Sequence, residues 1–296
     1  MKFPQKYCII SYGLRHEMSP HTIFSKAKRR MAESFEFKDK YSFDDLKKII
    51  TILRAPGGCP WDREQTHESI KKNFIEETYE TVEAINKNNP DMLREELGDV
   101  LLQIALHCEM ESEKGNFDIN DVVSDLVTKL VVRHPHVFGD VKAENGEEAL
   151  ASWDNAKAKT KNIKTQSESM IKVPRELPAL MRAQKIQHKA AKVGFDWENS
   201  DGAFEKLYEE IDELKMAMAQ GNKAETENEF GDVLFSCVNI SRFLKLDSEE
   251  ALTSATDKFV KRFEIVEQLA QAEGTDMKSA SLDELDRLWD RAKEIS

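Results

Sequence analysis

Glycine and proline are scarce in this chain, with 12 and 8 among 296 residues, and aromatic residues make up 8%. That scarcity, beside an abundance of Glu, Lys, Ala and Leu, argues for helices rather than loops or strands. Cysteine is scarcer still. Cys8, Cys59, Cys108 and Cys237 follow no metal-binding or redox spacing and read as reduced thiols of a cytoplasmic protein. No apolar run is long enough to span a bilayer, so no membrane partner is expected. Positive charge is in deficit, 43 Lys and Arg against 55 Asp and Glu, a net charge of -12. Direct nucleic-acid binding calls for the opposite balance. A small phosphorylated substrate remains compatible, provided a metal and local cations supply positive charge. The chain also has no Gly-rich Walker loop and no dinucleotide fingerprint.

What the chain does have is one acidic stretch, written twice. Glu76, Glu77 and Glu80 are followed by Glu96, Gly98 and Asp99; Glu209, Glu210 and Glu213 are followed by Glu229, Gly231 and Asp232, each position shifted by 133. On a helix, residues three and four apart share a face, so Glu77 and Glu80 point together, as do Glu96 and Asp99. An apolar run follows each Glu-x-x-Asp, from Val100 and from Val233. The second helix of each pair therefore enters a core. Packed antiparallel across the short Asn88-Asn89-Pro90 or Gly221-Asn222 turn, such helices bring four carboxylates together. Their repulsion amounts to several kcal/mol unless protons or a cation relieve it. An all-oxygen ligand set favours Mg²⁺ or Mn²⁺ over zinc or copper. The alternative is a solvated acidic helix face.

The pattern E-E-x-x-E followed by E-x-x-D resembles the signature of the MazG family of nucleoside triphosphate pyrophosphohydrolases, in its two-repeat bacterial form, over residues 43 to 296. The resemblance implies an all-α fold of two tandem helical bundles and Mg²⁺. It implies hydrolysis of nucleoside triphosphates, with broad base specificity, to monophosphate and pyrophosphate by water attack at the α-phosphorus, in nucleotide-pool control or house-cleaning. Carried over, Glu210, Glu213, Glu229 and Asp232 are the metal ligands, with Glu209 as base or outer partner and Glu210 and Glu213 in the catalytic set. Glu76, Glu77, Glu80, Glu96 and Asp99 form a second candidate set. Two-repeat relatives favour the C-terminal copy as the catalytic one.

Taken in order, residues 1 to 40 form a basic extension that reads as a disordered tail or as sequence upstream of a natural start at Met31, with a transit segment as the alternative. Residues 41 to 165 make the first domain, 166 to 173 a linker, and 174 to 296 the second domain. Ser42 is a candidate N-cap before the apolar stripe Leu46, Ile49, Ile50 and Leu53. Pro56 to Pro60 forces a loop presenting Trp61. Helices are expected over 69–86, 91–114 and 119–133, then around 146–161, 180–192 and 247–272, with a capping box at Ser281 opening the last. His134-Pro135-His136 reads as a loop pair making ordinary hydrogen bonds, and Glu64-x-x-His67 as a coincidence.

The repeat extends to basic and aromatic residues. Trp153, Asp154, Ala156 and Lys157 recur as Trp289, Asp290, Ala292 and Lys293; Lys129 and Arg133 recur as Lys258 and Arg262. Lys258 and Arg262 suit phosphate oxygens, while Phe195, Trp197 or Trp289 offers a flat face to a base. Lys293 completes this set, and Lys129, Arg133, Trp153 and Lys157 complete the first-repeat one. A solvated helix face and ordinary core packing are the alternatives. Bundles of so few helices leave apolar surface bare, so a homodimer is expected. Two rival functions stand beside the pyrophosphohydrolase: a hydrolase narrowed to one pyrimidine deoxynucleotide, and a non-enzymatic scaffold for basic partners.

Overall fold

The computed structural model describes residues 35–160 and 163–296. Of the basic leader expected over residues 1–40, residues 1–34 lie outside this range; in its last six, Lys38 Nζ donates to Asp45 at 2.8 Å. Every regular element among the described residues is a helix, and the chain divides into two compact units between Ala156 and Lys157.

In the first unit, α1 (Phe43–Arg54) starts on a Ser42 capping box closed by Asp45. Its apolar stripe places Ile50 in a core shared with Ile70, Leu106, Cys108, Met110 and Ile119. Burying a residue of the Ile50 or Ile70 kind contributes about 1.5–3 kcal/mol over leaving it exposed. The loop expected after α1 contains a short helix, α2 (Pro60–Glu64), because Pro60 occupies the first helical position, where its missing N–H costs nothing. Arg54 is buried beneath it. Its Nε and Nη2 donate to the Glu113 carboxylate at 2.7 and 2.9 Å, and its Nη1 donates to the carbonyls of Asp62 and Gln65.

The long pair follows, α3 (His67–Asn86) and α4 (Pro90–Ser112), packed along their length. Three residues turn the chain between them, so they run antiparallel. Asn88 takes the left-handed conformation at φ 49°, Asn89 caps α4, and Pro90 opens it. Then come α5 (Ile119–Arg133), the single turn α6 (Pro135–Phe138) and α7 (Gly146–Thr160). His134-Pro135-His136, expected as a loop, thus opens a one-turn helix for the same N-terminal proline reason. His134 Nδ1 lies 2.6 Å from the Leu130 carbonyl.

The second unit repeats this arrangement. The stretch expected as a linker carries α8 (Gln166–Ile171), capped by Thr165 and packed on α9 (Ala179–Ala191). The pair α10 (Ser200–Gln220) and α11 (Lys223–Phe243) turns at Gly221, left-handed at φ 69°, with Asn222 capping α11. Asn88 and Gly221 are equivalent in the repeat, and both types tolerate the left-handed backbone that reverses the chain there. Finally α12 (Ser248–Glu273) packs on α13 (Leu282–Ile295) around Val266, Ala270, Leu288 and Ala292.

Candidate active site

The two helix pairs do what the acidic spacing requires. In the first, Glu77 on α3 meets Glu96 and Asp99 on α4, with one carboxylate oxygen of each within 4.8 Å of the others. Glu80, one turn beyond Glu77, lies against Glu96 and adds its negative charge to the cluster. Burial and the neighbouring charges of Asp99, Glu80, Glu96 and Glu76 raise the Glu77 pKa to about 7. Burial also raises Glu96, with Glu80 next in weight, and raises Asp99, with Glu95 and Glu80 next. Three acids pushed toward their neutral forms at one spot mark a place that lacks positive charge.

In the second unit Glu210, Glu213 and Glu229 converge within the same 4.8 Å. Asp232 is exposed and outside this trio, whereas its counterpart Asp99 is inside. Glu213 is raised by burial and then by the Glu210 carboxylate beside it; Glu229 is raised by burial and then by Glu213. A cation lies against this cluster. Lys206 Nζ is 2.7 Å from Glu210 and 3.1 Å from Glu209, and these two carboxylates raise its own pKa. Each trio offers hard anionic oxygens at a separation that one small divalent cation spans, so the donor set fits Mg²⁺ or Mn²⁺.

The description "MazG nucleotide pyrophosphohydrolase domain" matches this chain twice, over residues 65–138 and 199–266, and each match contains one acidic cluster. The nucleoside triphosphate pyrophosphohydrolase/pyrophosphatase MazG of Thermotoga maritima is 46% identical over 251 residues, 85% of this chain and 95% of that one. The chain belongs to the MazG family. A nucleoside triphosphate pyrophosphohydrolase of Escherichia coli K12 is 44% identical over 84% of this chain and 96% of its own length. The Bacillus subtilis protein YabN is 46% identical, with 52% of its length covered.

The MazG matches also contain Lys129 and Arg133, and Lys258 and Arg262, but stop short of both tryptophan pairs and of the Phe195 loop. Lys258 and Arg262 line an open depression of about 370 Å³ on α12 with Ser254, Asp257, Lys261 and Ser296. Arg262 Nε donates to Ser296 Oγ at 3.0 Å. Trp289 packs at 5.0 Å from the Phe259 ring beside the α12–α13 core, and Lys293 pairs with Asp290 of its own helix at 2.9 Å. Phe195 is 83% exposed, and Trp197 lays its ring over Gly202, where a Cβ would come within 2.3 Å of it. Asp196 between them is held by the Arg242 guanidinium, which keeps its pKa below the usual range. In the first unit the Arg133 guanidinium sits 5.3 Å from the Trp153 ring centroid. Lys129 is exposed on the same helix, and Lys157 lies at the end of α7.

Two features of this MazG chain escaped the reading of its sequence. Lys206 is one; its signal was a lysine four residues before Glu210, where the first repeat has Asn73. The other is His67. Its Nε2 lies 2.6 Å from Glu111 and its Nδ1 2.6 Å from His107 Nδ1, so it joins the start of α3 to the end of α4. The meaningful partner of His67 was therefore Glu111, forty-four residues on, and not Glu64.

Proposed function

We propose that this protein hydrolyses nucleoside triphosphates to nucleoside monophosphate and pyrophosphate, with Mg²⁺ as cofactor and broad base specificity, in control or house-cleaning of the nucleotide pool. The observation that carries this reading is the convergence of three carboxylates on each of two helix pairs, within the segments matched by the MazG domain. The names of the Thermotoga maritima and Escherichia coli relatives support the same activity.

In the second unit Glu210, Glu213 and Glu229 would hold the divalent ion, with Asp232 one turn away. A bound divalent cation supplies positive charge against the phosphate oxygens of the substrate. The side chains do the rest. Lys258 and Arg262 offer a point charge and a fork to the phosphates. Glu209, paired with Lys206 at 3.1 Å, would act as the base toward attacking water or as an outer partner of the ion. Phe195 and Trp197 present flat apolar faces, and stacking discriminates little among bases.

A homodimer fits the surface. On α5, Val122, Val123, Leu126, Val127, Leu130, Val131 and Val132 are all exposed, and on α12 so are Leu252, Phe259, Val260 and Phe263. Contiguous apolar faces of this kind mark association surfaces.

The test is incubation with the eight common NTPs and dNTPs, with and without Mg²⁺, assaying pyrophosphate against orthophosphate. Equal amounts of NMP and pyrophosphate are expected for most of the panel. Release of NDP and orthophosphate would refute the reading; activity confined to one pyrimidine deoxynucleotide, or none at all, would favour one of the rival functions.

A further inference from the structure

The two acidic clusters differ in one residue that bears directly on a cation. In the second unit the Lys206 ammonium lies 2.7 Å from Glu210, whose side chain is only 8% exposed, and 3.1 Å from Glu209. Glu210 is also one of the three carboxylates that converge with Glu213 and Glu229. The same carboxylate thus serves two uses, and two cations cannot share it without strong repulsion. In the first unit the equivalent position is Asn73, which carries no charge. The ion pairs of α3 and α4 run elsewhere: Lys71 to Glu68, Lys87 to Glu83, Arg94 to Asp91, and His67 and Lys114 to Glu111. Among the described residues no ion pair to Glu77, Glu96 or Asp99 is seen, and the second cluster is partly neutralised from within its own helix.

We propose that Lys206 is a tethered counter-ion which a divalent cation must displace from Glu210, so that the first repeat is the tighter site for a free ion. This rests on reading the clusters as metal sites. It makes Lys206 a positioning residue: it holds Glu210 in place without metal and sets how readily the second cluster loads. The ammonium sits on a flexible stem with three donors and is 36% exposed, so it has solvent to retreat into when displaced.

The experiment is Mn²⁺ titration of the full-length chain without substrate, following the signal of free Mn²⁺ by electron paramagnetic resonance. Two backgrounds separate the clusters: Glu77→Gln with Glu96→Gln leaves only the second, and Glu213→Gln with Glu229→Gln only the first. In the first of these, Lys206→Gln is expected to tighten Mn²⁺ binding roughly tenfold or more, the equivalent of about 1.4 kcal/mol. In the other, Asn73→Lys is expected to weaken it by a similar factor, a result that does not depend on Lys206→Gln folding well. Unchanged or weaker binding in folded Lys206→Gln, or no effect of Asn73→Lys, overturns the proposal while leaving the metal reading standing. No Mn²⁺ binding in either background overturns both.

Discussion

Glu77 provides the sharpest test of the electrostatics. Its pKa rises from an ordinary 4.5 to about 7, first through burial and then through Asp99, Glu80, Glu96 and Glu76. A carboxyl whose pKa is higher folded than unfolded binds its proton more tightly in the folded state. Its contribution to stability is fully present below pH 4.5 and is lost as pH rises through 7. At 1.36 kcal/mol per unit the unscreened loss is about 3.4 kcal/mol. Glu77 is only partly buried, so solvent screening reduces this to about 1 kcal/mol. Glu77→Gln has nothing to ionise. Without metal it is expected to melt close to wild type at pH 5 and about 3 °C above it at pH 8, a shift that corresponds to about 1 kcal/mol in a unit of this size. Differential scanning calorimetry in EDTA reads the difference. Adding Mg²⁺ at pH 8 is expected to stabilise wild type more than the variant, as an ion that bound only the folded trio would. Equal melting offsets at both pH values, or a variant less stable at pH 8, would show that the cluster carries no net repulsion.

Three further perturbations reach other parts of the chain. Glu213→Ala and Asp232→Ala are each expected to lower turnover by roughly 10²-fold or more, with the equivalent changes at Glu80 and Asp99 costing much less; equal losses in folded variants would mean the repeats share the chemistry. Gly202→Ala puts a Cβ 2.3 Å from Trp197 Cδ1, so the ring must leave its place. Red-shifted tryptophan emission and a raised KM are the expected readouts. Arg54→Met leaves Glu113 and the carbonyls of Asp62 and Gln65 without their donor and is expected to cost about 3 kcal/mol in urea unfolding. A cost below about 1 kcal/mol would mean that solvent replaces those bonds.

Much of the helical framework is written in short stretches of sequence. Ser42 and Ser281 close capping boxes within three residues of themselves, and Asn89 and Asn222 each cap the second helix of a pair. These are local hydrogen bonds, legible wherever the spacing appears. Prolines were the exception. Pro60 and Pro135, read as breakers, each begin a short helix, because a proline at the first helical position donates no bond the helix needs. The stretch read as a linker forms α8 because Thr165 caps it and α9 gives it a surface to lie on, and the second reason lies outside the stretch itself.

The sequence alone determined that two acidic helix pairs exist, since periodicity and duplication need only the order of residues. Tertiary structure decided which carboxylates meet. Helix rotation and side-chain rotamers place Asp99 inside the first trio and leave its twin Asp232 outside the second. The same packing surrounded Glu77 with carboxylates and brought His67 to Glu111 across the helix pair, whereas Lys206 reaches Glu210 within one turn of a single helix. Local bonds act over three or four residues of chain, whereas charge acts across a few ångströms of space, and those ångströms are set only when the helices pack.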